Sequence, residues 1–170
     1  MAGPAATTGT LDQAVDVIVV GSGSAGLAAA LAAAVGGARV LVLEKSGLIG
    51  GTSAMSGAGT WVPANHHMLA AGLDDSPEQA LAYLRATAPA GWQEQEDALW
   101  QAFADSAPAM LSFLEAHTPL RFELVHHPDL YVEAPGGKLS GRMLSPKPLS
   151  RNLVGRWRHR IRGSGAPRPK

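Results

Sequence analysis

Asp16-Val17-Ile18-Val19-Val20-Gly21-Ser22-Gly23-Ser24-Ala25-Gly26-Leu27 is the stretch that decides the fold. Asp16 to Val20 is a β-branched run without polar alternation, the pattern of a parallel strand covered on both faces. It runs directly into glycines at positions 21, 23 and 26. Leu27 to Val35 follows as nearly pure alanine and leucine, the strongest helix formers, and Gly36-Gly37 supplies the stop. Arg39 to Glu44 (RVLVLE) then reads as a second strand. Strand, glycine turn, helix and strand within thirty residues make a right-handed βαβ unit.

Each glycine has a distinct task in such a turn. Gly21 turns the chain sharply out of the strand, Gly23 lets backbone N–H groups approach a pyrophosphate, and Gly26 brings the helix close to the strand. The helix N-terminus adds partial positive charge and unused N–H donors. Glu44 closes the second strand 18 residues beyond Gly26. There its carboxylate can accept both hydroxyls of an adenosine ribose and disfavours a 2′-phosphate. These features predict a dinucleotide site and leave NAD and FAD both open.

After Glu44 the chain enters a second Gly/Ser-rich stretch, Lys45-Ser46-Gly47-Leu48-Ile49-Gly50-Gly51-Thr52-Ser53-Ala54-Met55-Ser56-Gly57-Ala58-Gly59. A backbone this bare can lie against a flat ligand and donate N–H bonds to it, or it can be a surface loop. A helix capped by Asp75 or Ser76 and entered at Pro77 comes next, with Leu81, Tyr83 and Leu84 at helical spacing. A longer helical region from about Glu94 to His117 is expected to bury Leu99, Phe103, Met110, Phe113 and Leu114, and to break or kink at Pro108. Arg121 to Val125 reads as a short strand and Pro135-Gly136-Gly137-Lys138 as a turn.

The run VIVVGSGSAGLAAA…VLVLEK…GGTSAMSGAGTWVP resembles the N-terminus of the FAD-dependent oxidoreductase 2 family, which includes fumarate reductase and succinate dehydrogenase flavoproteins and 3-ketosteroid dehydrogenases. Trp61-Val62-Pro63, Asn65-His66 and Asp129-Leu130-Tyr131-Val132-Glu133-Ala134-Pro135-Gly136-Gly137-Lys138 are similar to the 3-ketosteroid Δ1-dehydrogenase branch, as are Gly141-Arg142 and Pro146-Lys147-Pro148. The resemblance implies FAD as cofactor. It implies that Gly21, Ser22, Gly23, Ser24, Ala25 and Gly26 hold the diphosphate and that Glu44 and Lys45 hold the adenosine half. Gly50, Gly51, Thr52 and Ser53 would continue along the cofactor, and Ser56, Gly57, Ala58 and Gly59 would pass near the isoalloxazine. That branch often carries two adjacent tyrosines where this chain has Leu130-Tyr131, which makes Tyr131 the catalytic candidate. The implied reaction removes a proton from C2 of a steroid ring and passes the C1 hydride to flavin N5, with donors on the 3-keto oxygen and an external electron acceptor. A fumarate reductase-like enzyme on a small dicarboxylate, an NAD-dependent dehydrogenase and a non-catalytic nucleotide-binding module are the alternatives.

The expected fold is therefore α/β, an incomplete Rossmann-type βαβ FAD-binding domain followed by a mostly helical segment. Its divisions are a disordered start over 1–14, the βαβ unit and Gly-rich loop over 15–64, helices over 65–120, and a truncated region with a basic tail over 121–170. Length supports this. A chain of 170 residues suits one small domain and is short for the flavoprotein it resembles, so an N-terminal fragment, inactive alone, is expected.

The 14 basic and 14 acidic side chains cancel overall. Yet residues 1–137 carry net −10 and residues 138–170 net +10, as if compensating residues lay elsewhere. The tail residues Arg151, Arg156, Arg158, Arg160 and Arg162 come with one aromatic, Trp157, and no nucleic-acid motif. Their alternation suits a loop or one face of a strand, so no nucleic-acid partner is expected. Val17–Ala38 is uncharged but glycine-broken and alanine-rich, a poor membrane span. With no cysteine and no basic residue among the first fifteen, a soluble cytoplasmic protein is expected. His66-His67 and His126-His127 lack a third ligand at helical spacing and read as solvated loop histidines, with no metal site.

Overall fold

A computed structural model describes residues 14–163. The expected disordered start over residues 1–14 lies outside the described residues apart from Ala14, as does the end of the basic tail from Ser164. The chain divides into two compact units, Met1–Met55 with Arg156–Lys170, and Ser56–Gly155.

In the first unit, strand β1 (Val17–Val20) leads through the glycine turn into helix α1 (Ser24–Val35), which returns to β2 (Val40–Leu43). The strands pair in parallel, Val17 opposite Val40 through Val20 opposite Leu43. This is the expected Rossmann-type βαβ. Burial on both faces of the strands is not what is observed. Val19 is buried, whereas Ile18 and Val20 are 58% and 83% exposed. Helix α1 covers one face of the pair, and no described element covers the other.

The second unit holds β3 (Thr60–Trp61), α2 (His66–Ala70), α3 (Pro77–Thr87), α4 (Gln93–His117), β4 (Phe122–Leu124) and β5 (Met143–Pro146). Helix α3 starts as expected, with Ser76 Oγ accepting the Gln79 N–H (3.3 Å) and Pro77 in the first turn. The three strands form an antiparallel sheet in the order β3-β5-β4. Of these three strands only β4 falls within a run read from sequence as a strand, Arg121 to Val125.

The long helix departs from expectation twice. It runs unbroken through Pro108. The proline leaves the Ala104 carbonyl without its usual N–H donor, and packing on both sides of the lesion keeps the helix intact. Its buried positions are Ala104, Ala107 and Leu111, while Leu99, Phe103 and Met110 are 63%, 42% and 39% exposed, and Phe113 and Leu114 are half-buried. Small residues let α4 approach α3 closely, so Ala104 packs with Ala80 and Leu81. Val62, Ala107, Leu111, Phe122 and Leu144 form the second part of the core. No helix among the described residues is long and apolar enough to cross a membrane.

Candidate functional site: the glycine turn and its loops

The first unit builds the site. Gly21 leaves β1 at φ +97°, a conformation that side-chain-bearing residues rarely adopt. Gly23 is the N-cap of α1 in extended conformation and has no side chain of its own to cap the helix. The first intrahelical bond runs from the Leu27 N–H to the Gly23 carbonyl (2.9 Å). The Ser24 N–H donates to Ser53 Oγ (3.1 Å), and the N–H groups of Ala25 and Gly26 have no acceptor among the described residues. No acidic residue sits in the first turn to neutralise the dipole. A helix start with two N–H groups left open in this way fits a phosphate.

The glycines at 23 and 26 differ in what their missing side chains would meet. A Cβ on Gly26 would lie 2.2 Å from the Gly21 carbonyl oxygen and 3.4 Å from Val19 Cγ1, so this glycine exists to bring helix and strand together. A Cβ on Gly23 would meet nothing nearer than Ser53 Oγ at 3.8 Å. The protein's own packing does not require glycine at 23, which leaves room for a ligand against the backbone.

Glu44, at the end of β2, grips the turn. Its Oε2 accepts both the Ser22 hydroxyl and the Ser22 N–H (3.0 Å), and its Oε1 accepts the Ser46 N–H (2.9 Å). The Ser22 hydroxyl in turn accepts the Gly50 N–H (2.9 Å), tying in the second glycine stretch. Gly51 continues it, its Cβ position 3.4 Å from Gly23 Cα. The Thr52 carbonyl accepts the Met55 N–H (2.9 Å) over a short 3₁₀ turn at Ser53–Met55, and Ser53 Oγ also donates to Ser24 Oγ (3.0 Å). Lys45 makes no side-chain hydrogen bond among the described residues and extends from the same loop. Gly21–Gly26, Glu44, Lys45 and Gly50–Ser53 are therefore one cluster.

The donors around Glu44, led by the Ser22 hydroxyl and then the Ser46 and Ser22 N–H groups, pull its carboxyl from the ordinary 4.5 down to about 2. A depressed acid stabilises the fold wherever it is ionised in both states, and that contribution is lost as pH falls from about 4.5 towards 2. Thermal melts across that range should show a falling Tm in the cofactor-free chain. In Glu44→Gln the fall should be shallower.

One brace went unread in the sequence. Ile49 pairs with Ile161: the Ile49 N–H donates to the Arg160 carbonyl (2.7 Å) and the Arg162 N–H to the Ile49 carbonyl (2.9 Å). The arginine-rich segment is thus no strand face. It runs as a 3₁₀ stretch over Arg151–His159, broken at Gly155 (φ +51°), and then docks its backbone on the second glycine loop. Ile161, the branched apolar residue set between Arg160 and Arg162, was the only signal.

The FAD binding domain family matches residues 16–167. The chain belongs to that family. The ambiguity between NAD and FAD is thereby resolved for FAD. Among relatives, the chain is 42% identical over 144 residues to a 3-oxosteroid 1-dehydrogenase of Mycobacterium tuberculosis, covering 84% of this chain and 25% of the relative. It is 39% identical over 159 residues to a 4-oxocyclohexanecarboxylate 2-dehydrogenase of Sinomonas cyclohexanicum, covering 92% and 27%. The solved 3-ketosteroid Δ1-dehydrogenase of Sterolibacterium denitrificans, in complex with 1,4-androstadiene-3,17-dione, superposes with a TM-score of 0.78 at 36% identity, covering 88% of this chain and 26% of that one. The chain spans about a quarter of the length of these relatives.

The remaining candidates of this FAD binding domain chain lie in the second unit. Ser56 Oγ accepts the Ala58 N–H (3.0 Å), and Ala58 takes φ +59° between Gly57 and Gly59. Tyr131 is half-exposed, and its N–H donates to the Tyr83 hydroxyl (3.2 Å). Beside it lies an apolar cleft of about 330 Å³ lined by Trp61, Tyr83, Leu84, Leu130 and Met143, among others. Beneath the cleft, Arg142 is buried. It donates to Asp75 (2.8 and 2.7 Å) and to Asp129 (2.8 Å), and its guanidinium lies 5.2 Å from the Trp61 ring centroid. This corrects the charge reading: one basic residue of the tail half is neutralised internally by two acids of the other half. A second correction concerns His66 and His67. They open helix α2, and Glu115 of α4 meets both, Oε2 lying 2.8 Å from His66 Nε2 and 3.1 Å from His67 Nε2. A partner 48 residues away leaves no trace in local spacing.

Proposed function

We propose that this chain holds FAD through Gly21–Gly26, Glu44, Lys45 and Gly50–Ser53, as part of an oxidoreductase that dehydrogenates a 3-oxosteroid or similar cyclic ketone and passes the electrons to an external acceptor. The observation that carries the cofactor half is the start of α1, with two N–H groups left open, beside the open side of Gly23. The substrate half is supported by two relatives whose names specify a ring ketone, an oxosteroid in one case and an oxocyclohexane in the other.

When bound, FAD supplies the hydride-accepting ring. The Ala25 and Gly26 N–H groups and the α1 dipole would neutralise the diphosphate. Glu44 already carries three donors, yet a carboxylate has room for a fourth, and its ionised state near neutral pH suits a ribose hydroxyl. Ser53 fixes the spacing of the two loops by bracing Ser24. Ser56, Gly57, Ala58 and Gly59 are proposed to run past the flavin edge, on the strength of the family resemblance. Tyr131 is proposed as the proton-abstracting residue. Support comes from the resemblance, from its half-exposed ring and from the adjoining apolar cleft, which suits a hydrocarbon skeleton.

Titration of the purified, folded chain with FAD tests the cofactor reading. Retention of one equivalent through gel filtration, with quenched flavin fluorescence, is the expected result. A folded chain that retains no flavin would overturn it.

A further inference from the structure

We propose that His66, His67 and Glu115 form a divalent-metal site, best suited to zinc, that clasps α2 to α4. The three donor atoms lie within 4.8 Å of one another. Zinc binds imidazole nitrogen and carboxylate oxygen at about 2.0–2.2 Å, which requires donor atoms roughly 3–4 Å apart. The measured separations, 2.8 Å from His66 and 3.1 Å from His67 to Glu115, need only a small outward relaxation to admit the ion.

The surroundings hold these groups in place. Asn65, fully buried, caps α2 through its side-chain oxygen (Met68 N–H, 2.9 Å), and its amide donates to the Val62 and Gly141 carbonyls (2.7 and 2.8 Å). The histidines therefore project from an anchored helix start. Glu115 is 11% exposed, and its Oε1 accepts the Phe122 N–H (2.8 Å). The nearby Arg121 guanidinium is taken up by the carbonyls of Glu115, Thr118 and Leu120 and leaves the carboxylate to the histidines.

A ligating imidazole ordinarily donates its second ring N–H to a neighbour that fixes its tautomer. Ser112 Oγ, one turn before Glu115 on α4, lies 3.4 Å from His66 Nδ1 and itself donates to the Pro108 carbonyl (3.1 Å). With Nδ1–H directed at Ser112, the Nε2 lone pair of His66 faces the other two donors. The His66 side chain is 46% exposed, so an ion can enter from solvent and keep water at its open position.

The test uses the full chain, free of any affinity tag and stripped with chelator, titrated with zinc chloride by calorimetry and with cobalt chloride by visible absorption. Expected are one equivalent bound, cobalt ligand-field bands of nitrogen–oxygen coordination, and a zinc-dependent rise in Tm. His66→Ala and His67→Ala should each weaken binding by at least about tenfold, and Ser112→Ala by about tenfold. His126→Ala should change nothing. Because Glu115 also holds β4, Glu115→Gln could misfold, so the His66→Ala/His67→Ala double variant carries the decision. Absence of cobalt bands in the folded wild-type chain, or undiminished zinc binding in the double variant, would show that the cluster is an ion pair only.

Discussion

Replacing Gly26 with alanine should lower the stability of the first unit by about 3 kcal/mol, the upper end of overpacking costs, and abolish FAD binding with it. The new methyl carbon would sit 2.2 Å from the Gly21 carbonyl oxygen and 3.1 Å from its carbon, both backbone atoms that no rotamer change can move. Relief requires α1 to shift away from β1. That shift displaces the Ala25 and Gly26 N–H groups and breaks the Ser24–Ser53 brace. Urea unfolding followed by circular dichroism, with FAD titration in parallel, measures both losses. An unchanged midpoint with wild-type FAD affinity would contradict the packing described.

Arg142→Met carries the second large effect, in the other unit. Arg142 is 1% exposed, and its partners Asp75 and Asp129 have side chains 0% and 3% exposed. Removing the guanidinium leaves two buried carboxylates without a counter-charge, and breaking such a network costs about 3–5 kcal/mol. Other donors remain: the Ala64 N–H to Asp75 (2.9 Å), and the Trp61 indole N–H (2.7 Å) and Lys138 N–H (2.9 Å) to Asp129. They hydrogen-bond the acids without neutralising them. Adding Asp75→Asn and Asp129→Asn should recover part of the loss, because the remaining groups are then uncharged. A single variant as stable as wild type would show that the cluster contributes nothing.

The contrast between these two sites explains what the amino-acid order revealed. The glycine turn is a local device. Gly21, Gly23 and Gly26 act on their own strand and helix, and Glu44 lies one crossover away, so spacing alone exposed them. Arg142, Asp75 and Asp129 come from three separate loops, and no spacing rule links residue 142 to residue 75. The same holds for Glu115 with His66 and His67, and for Ile49 with Ile161. Helix α4 failed for another reason. Its large apolar residues mark a face that stays partly exposed, while alanines at 104 and 107 make the close contact. A reading weighted by side-chain size therefore chose the wrong stripe.

The charge asymmetry is altered in the same way. Arg142 belongs by position to the basic end of the chain and by contact to the acidic part. The backbone of Arg160 and Arg162 serves the glycine loop while most of their neighbours remain at the surface.

FAD binding by Gly23→Ala tests the central claim most directly, because at this position folding and cofactor binding separate. The added methyl meets only Ser53 Oγ at 3.8 Å, and Gly23 sits at φ −71° and ψ 176°, which alanine adopts freely. Stability without cofactor should change by less than about 1 kcal/mol. FAD affinity should fall at least tenfold, on the order of 1.4 kcal/mol, because the methyl would take up the space proposed for the pyrophosphate. A folded Gly23→Ala chain that binds FAD as tightly as wild type would contradict the assignment of this turn as the cofactor cradle.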